Sequence, residues 1–243
     1  MRLRDRIATA DGKRRYVRAL FATIADRYDL ITIVLSYGQD RRWKRRLIDL
    51  AGPLQGRMVL DLACGTGDLA FLASRGGARV TGLDITSRMI ELAHLRAATE
   101  SASSSVRFVL GDMMALPFAA RSVDVVTTGY GLRNVPFLER SIGEIRRVLK
   151  DGGLLLSLDF NRPENALVRM AYHGYLTVVG GALGFVLHRD ADTYRYIPES
   201  IRRYPSATRV TELLRLEGFS DARWQRVLGG LMAIHVAKKD AGA

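Results

Sequence analysis

The chain has 243 residues, 48% hydrophobic and 26% charged, with a formal net charge of +12 and a single cysteine. That composition excludes a disordered, collagenous or disulfide-stapled protein, and the length suits one α/β domain with additions, burying roughly 70–75% of its unfolded surface. The excess positive charge admits an anionic membrane surface or nucleic acid as partner, but no RNA-reading motif or regular aromatic interleaving accompanies it.

Basic residues crowd the N-terminus from Arg2 to Arg18, and residues 1–20 read as a basic, partly helical leader. Met1 to Arg6 lacks an apolar run, so no secretory signal is expected. Residues 21–52 read as a helical cap that carries a second basic run, Arg41-Arg42-Trp43-Lys44-Arg45-Arg46, and ends at Ala51-Gly52-Pro53. Residues 53–243 then form the main domain.

Its opening is the most informative stretch. Val59 to Leu62 is an apolar run carrying Asp61, followed by a glycine turn, Cys64-Gly65-Thr66-Gly67-Asp68, and an apolar helix from Leu69. A second apolar run, Val80 to Leu83, ends in Asp84, 23 positions after Asp61. This layout is a βαβ unit whose first turn lets backbone approach a ligand and whose second strand ends in a carboxylate that can grip a ribose. A dinucleotide turn would place a third glycine where this chain has Ala70, with a helix N-terminus facing pyrophosphate. Asp61 and Asp68 would repel a pyrophosphate and instead suit a ligand carrying an ammonium and a sulfonium, as S-adenosylmethionine does. The turn alone also fits any α/β domain. Cys64 reads as a small filler within it.

Further along, Thr86 or Ser87 caps a helix through Ala98, and Ser101 to Ser105 reads as a short polar loop. Arg107 to Leu110 reads as a third strand leading to Asp112 and Met113, and Val123 to Thr128 as a fourth. A helix after Pro136 places Leu138, Ile142, Ile145 and Leu149 on one face and stops at Asp151-Gly152-Gly153; Leu154 to Phe160 is a buried fifth strand. Residues 161–205 form an insertion. Within it, Ala171 to Leu187 is uncharged and apolar but holds four glycines and, at 17 residues, is short for a membrane span, so a buried or interfacial helix pair is expected. A helix from Ser206 to Leu216 and strands near Phe219–Arg226 and Leu231–Ala237 complete the chain.

Several ordered motifs narrow the interpretation: Arg27-Tyr28-Asp29, Leu35-Ser36, Arg42-Trp43-Lys44, Gly129-Tyr130-Gly131-Leu132-Arg133-Asn134, Leu158-Asp159-Phe160-Asn161, Asp190-Ala191-Asp192-Thr193-Tyr194-Arg195-Tyr196 with Glu199-Ser200-Ile201, and Gly229 to His235. From about Phe21 to Lys239 the chain resembles the ubiquinone/menaquinone biosynthesis C-methyltransferases. It departs from their pattern at Thr32-Ile33, where Asn-Asp is common, and at Asp40, where a histidine is frequent.

The resemblance implies a Rossmann-like, doubly wound, seven-stranded class I methyltransferase sheet of the α/β class, with an N-terminal helical cap and a helical acceptor-site insertion after the fifth strand. It implies S-adenosylmethionine as cofactor, held by Asp61, Gly65, Thr66, Gly67, Asp84, Ile85, Met89, Asp112, Met113 and Gly129. Asp84 would take the ribose, Gly65 and Gly67 the amino-acid part, and Asp112 with Met113 the adenine. The implied acceptor is a prenylated quinol, methylated on a ring carbon activated by a neighbouring phenolate. Arg133 is the first candidate to stabilise that phenolate, with a salt bridge to Asp159 or Asp190 as its alternative role. Asn134, Tyr28 and Asp159 are further catalytic candidates, and Tyr194, Tyr196, His173 and His188 weaker ones. Another small aromatic acceptor for the same fold stays open through Thr32-Ile33, as do an RNA-modifying enzyme and a non-catalytic scaffold. None of the four histidines has metal-ligand spacing, so no metal is expected. The expected setting is cytoplasmic, with transient contact at the inner membrane face, no nucleic-acid partner, and a homodimer as the oligomer to test for.

Overall fold

A computed structural model describes residues 3–100, 105–189 and 193–241. Arg2, the polar stretch 101–104 and the acidic motif residues 190–192 lie outside the described residues.

Two helices, α1 (Leu3–Arg6) and α2 (Ala10–Ile24), open the chain, and Thr9 caps α2 by accepting from the Gly12 amide. Then come α3 (Tyr28–Leu35) and α4 (Asp40–Asp49). The sheet begins with β1 (Met58–Leu62), followed by α5 (Asp68–Arg75), β2 (Arg79–Asp84), α6 (Ser87–Ala97), β3 (Val106–Leu110), β4 (Val123–Gly129), α7 (Leu138–Val148) and β5 (Leu149–Phe160). The insertion holds α8 (Ala166–His188) and α9 (Tyr196–Arg203), and α10 (Ala207–Leu216), β6 (Phe219–Val227) and β7 (Met232–Lys239) close the chain.

The seven strands run in the order β3-β2-β1-β4-β5-β7-β6, parallel except at β7, which pairs antiparallel with both neighbours. Period-two alternation sends Val59, Val80, Val125 and Leu156 to one face, against Leu47 of α4, Phe71 of α5 and Ala93 of α6. Leu60, Leu62, Val126 and Leu155 go to the other, against Ile142 and Ile145 of α7 and Val210 and Leu214 of α10. The order reverses at β1/β4, and the crevice outside their carboxyl ends is where such sheets bind ligands.

Three expectations need correction. The helix after Pro136 ends at Val148, and Leu149 already pairs with Val123, because the chain turns directly into the strand through a register shift. Thr86 stands at the N-cap of α6, but its hydroxyl is buried without a partner, so the capping role expected of it is unfilled. The apolar part of the insertion is one continuous 23-residue helix, α8, long and apolar enough by length and composition to cross a membrane. Its glycines do not break it because Gly180 fits against Tyr194 and Gly174 and Gly181 face open space. Tyr172 and Leu176 on its buried face wall a cavity, which ties that face to the rest of the protein.

The N-terminal helices are part of this upper layer. Ile7, Val17, Leu20, Ile24 and Ile31 cluster with Tyr194 and Tyr196 of the insertion. The layer covers the carboxyl ends of the strands.

Candidate active site

Two recesses meet above β1 and β4. The first is a cleft lined by Gly65, Asp84, Ile85, Met89, Asp112, Met113, Gly129 and Asn134, together with Arg14 and Val17 of α2. It continues into a small recess beside Asp61, Thr66, Asp68 and Lys44. The second is an apolar cavity of about 400 Å³ between α2, α3, α8 and α9. Phe21, Tyr28 and Tyr130 line both the cleft and the cavity.

The glycine turn builds the cleft floor. Gly67 has a φ of +92°, and a Cβ there would stand 2.8 Å from the Phe108 ring, so this glycine lets the turn pack and lies behind the cleft surface. Gly65, at φ +54°, faces the recess instead, and its amide donates to Asp84 Oδ2 at 3.0 Å. The Thr86 amide donates to Asp84 Oδ1 at 2.9 Å, so two backbone donors hold the carboxylate in place while its remaining lone pairs face the cleft. Thr66 donates its hydroxyl to Asp29 Oδ1.

Asp61 is the clearest sign of where a cationic group would sit. Its Oδ1 accepts from the Thr127 hydroxyl at 2.8 Å, whereas Oδ2 is buried without a partner. Burial pushes the carboxyl up to about 7, against the pull of the Thr127 bond and the charge of Lys44. A buried carboxylate oxygen of this kind suits the ammonium of an amino-acid group, and S-adenosylmethionine fits the recess on that ground. Asp68, by contrast, is already neutralised: Lys44 lies 2.8 Å away and Arg96 pairs with its other oxygen, which holds its carboxyl well below the usual range. Asp112 pairs with Arg14 at 2.8 Å and accepts the Met114 amide, so α2 reaches across the cleft onto the residue expected at the adenine. Lys13, one residue earlier, donates to the carbonyls of Arg133 and Val135, and burial next to Arg133 lowers it to about 8.

In the cavity, Arg133 is 5% exposed and lies over the Phe160 ring. Its Nη1 donates to Ser200 Oγ at 2.7 Å and to Asn134 Oδ1 at 3.1 Å. Its Nε lies 3.1 Å from Asp159 Oδ1, but the N–H is not aimed at that oxygen, so this contact is an ion pair rather than a hydrogen bond. The Arg133–Asp159 salt bridge and a cavity-facing guanidinium therefore coexist. Asp159 itself lies beneath Arg133 and accepts the Arg133 and Phe160 amides; it does not line the cavity. Asn134 donates to the Tyr130 carbonyl and holds the turn, with one edge on the cleft. Tyr194 and Tyr196 line the cavity wall, whereas His173 bonds to the Pro198 carbonyl and His188 to the Tyr194 hydroxyl, away from the cavity lining.

Sequence reasoning named the motif around Tyr130 but not the residue. Tyr130 is buried at a φ of +60°, a left-handed conformation that strains an aromatic residue by about 1–3 kcal/mol and tends to persist at functional sites. The signal was its position: the residue after the last of β4, at the carboxyl edge where the strand order reverses.

A parallel sheet with one antiparallel strand, a glycine turn at its switch point and acids at successive strand ends define a class I methyltransferase fold. Solved structures agree at the level of fold: a SAM-dependent methyltransferase from Aquifex aeolicus matches with a TM-score of 0.57 at 16% identity over 80% of this chain and 88% of that one. A Haemonchus contortus phosphoethanolamine N-methyltransferase bound to S-adenosyl-L-methionine matches with a TM-score of 0.62 at 16% identity, over 82% of this chain and 52% of that one. The ubiE/COQ5 methyltransferase family model matches residues 9–239, and the chain belongs to that family. A ubiquinone/menaquinone biosynthesis C-methyltransferase of Azotobacter vinelandii is 38% identical over 92% of this chain and 89% of its own length. A demethylmenaquinone methyltransferase of Thermus thermophilus is 38% identical over 90% of this chain and all of its own.

Proposed function

We propose that this enzyme transfers a methyl group from S-adenosylmethionine to a ring carbon of a prenylated quinol, as a C-methyltransferase of quinone biosynthesis. The observation that carries this reading is the meeting, at Tyr28 and Tyr130, of a cleft floored by Asp84 with an apolar cavity whose wall includes Arg133. The names of the relatives, quinone-pathway methyltransferases, support it.

Bound S-adenosylmethionine supplies the methyl group as an activated sulfonium. Asp84 takes the ribose hydroxyls, Asp61 the ammonium, and Met89 and Met113 pack against the apolar parts of the cofactor. The apolar cavity holds the ring in place, and orientation alone removes several kcal/mol from the barrier to an in-line displacement. Arg133, a permanent cation fixed by Ser200 and Asp159, stabilises negative charge on the quinol oxygen. A prenyl tail leaves along Leu176, Tyr172 and Val168 of α8.

Contact with an anionic membrane belongs to this reading. Outside the cavity, α8 exposes Leu167, Met170, Val178, Phe185 and Val186, and α3 exposes Leu30, Ile33 and Val34. Tyr37, after α3, stacks on Tyr175 of α8 at 5.9 Å. Such an apolar rim on a strongly basic protein suits the interfacial region of a bilayer, where a long-tailed acceptor resides. We place the enzyme at the cytoplasmic face of the membrane.

Transfer of radioactive methyl groups to fractionated cell extract tests the reaction. Label is expected in the lipid fraction and on a quinone ring; label confined to RNA or protein would overturn the reading. Arg133→Lys should lower turnover by about ten- to a hundredfold while cofactor affinity stays within twofold, since lysine keeps the charge but loses the planar fork.

A further inference from the structure

Tyr130 stands where the two recesses meet, and its hydroxyl is committed in one direction. It donates to Asp40 Oδ1 at 2.6 Å, inside the protein. Asp40 is 3% exposed, and its other oxygen lies 2.6 Å from Lys44 Nζ. Lys44 bridges on to Asp68 at 2.8 Å, and Asp68 is about a third exposed beside Arg96. A chain of charged and hydrogen-bonding groups thus runs from the cavity junction to the protein surface. Because the Tyr130 proton points at Asp40, the lone pairs of its oxygen are what remains for a ligand. The left-handed backbone at Tyr130, fixed by Asn134 on its carbonyl and by the Leu158 carbonyl on its amide, aims the ring this way.

We infer that Tyr130 accepts the proton of the acceptor's ring hydroxyl and relays its own to Asp40, so that Tyr130 is a catalytic residue and Asp40 a positioning and proton-holding residue behind it. The inference rests on the phenolic acceptor proposed above. It assigns Asp40, a departure from the family pattern, a partner that a histidine would engage differently. It also divides the work with Arg133, which supplies charge but, as a permanent cation, no site for a proton.

The quinol O–H bond breaks and its proton goes to the Tyr130 oxygen; the Tyr130 O–H breaks and that proton goes to Asp40 Oδ1. The ring carbon forms its bond to the methyl carbon while the carbon–sulfur bond breaks, leaving its electron pair on sulfur. The methylated carbon then loses its hydrogen as a proton to water, and the restored ring oxygen takes back the proton held on Asp40 through Tyr130. Net, one proton is released. A carboxylate is a weaker base than a phenolate, so the proton moves with carbon–carbon bond formation and not before it. Burial pushes the Tyr130 phenol well up, with the Asp40 charge in the same direction, so Tyr130 stays neutral until the step occurs. The other ionisable groups facing the pair are Lys44, Tyr28 and Asp159, the last held by Arg133.

Tyr130→Phe and Asp40→Asn test this, the second leaving Lys44 its bond to Asp68. Thermal melting and cofactor titration establish that each variant is folded. Turnover with a tail-less quinol should fall by about ten- to a hundredfold in both, and a solvent deuterium isotope effect near two in the parent should vanish in Tyr130→Phe. A binding measurement free of turnover accompanies this: with S-adenosylhomocysteine present, the parent should bind the quinol about tenfold more tightly than its mono-O-methyl ether, and Tyr130→Phe should bind both alike. Parent-like turnover in folded variants, or a quinol-over-ether preference that survives Tyr130→Phe, would overturn the relay. Parent enzyme that methylates no quinol at all would instead overturn the acceptor assignment.

Discussion

Asp84 is held by the Gly65 and Thr86 amides and forms no salt bridge among the described residues, so removing it disturbs the cleft without unpairing a charge. Two hydrogen bonds from ribose hydroxyls to a buried carboxylate should be worth about 2–4 kcal/mol. Calorimetry on Asp84→Ala is therefore expected to show cofactor affinity at least tenfold weaker; unchanged affinity in a folded variant would remove the ribose assignment. Asp61 carries a pH prediction with a definite sign. Its folded pKa is raised to about 7, so it binds a proton near neutrality and becomes an anion as pH rises through that value. An ammonium ligand prefers the anion. Cofactor affinity should thus climb about five- to tenfold between pH 6 and 7.5 and stay flat in Asp61→Asn. A flat profile in the parent would mean that the orphaned oxygen faces no cation.

At the scale of elements, α8 divides its labour by face. Leu176 is 3% exposed and lines the cavity, whereas Val178, two residues on, is 72% exposed. Leu176→Ser should impair a long-tailed acceptor by about tenfold relative to a tail-less analogue, because it puts an unpaired hydroxyl against the tail. Val178→Ser should leave catalysis on dispersed tail-less substrate unchanged. Equal losses on both acceptors in Leu176→Ser would make the segment ordinary core. This division was not legible from composition: an apolar run with scattered glycines carries too few polar residues, His173 and Thr177, to mark its outer face, so its periodicity is weak. The sheet was far more legible. Apolar runs bearing or leading to Asp61, Asp84 and Asp112 placed the strands and the ligand-binding edge, because an apolar run and a glycine turn are local properties. The contributions of Lys13, Arg14, Asp40 and Tyr130 to the site were not, since each depends on long-range packing: Lys13 bonds to carbonyls more than a hundred residues away.

In the proposed membrane contact, the +12 charge of the whole molecule and the apolar rim of α3 and α8 would act together. Each cation near an anionic surface contributes about 1 kcal/mol, and the attraction fades beyond a Debye length of about 8 Å at physiological salt. Sedimentation with anionic liposomes should show binding that weakens steadily with added salt and is released by carbonate. Replacing Val178 and Phe185 by serine should reduce it further. Binding that persists through carbonate would instead identify α8 as an anchor.

The cleft and the cavity share Phe21, Tyr28 and Tyr130 in their linings; α2 borders both, with Arg14 at the cleft, whereas α8 and, beyond Tyr28, α3 line the cavity alone. On the proposed assignment, donor and acceptor would enter by separate doors. A spent, water-soluble donor would then exchange while the greasy partner stays seated, and neither would have to leave before the other arrives. Such an enzyme can work through a lipid pool without ever lifting its substrate clear of the bilayer.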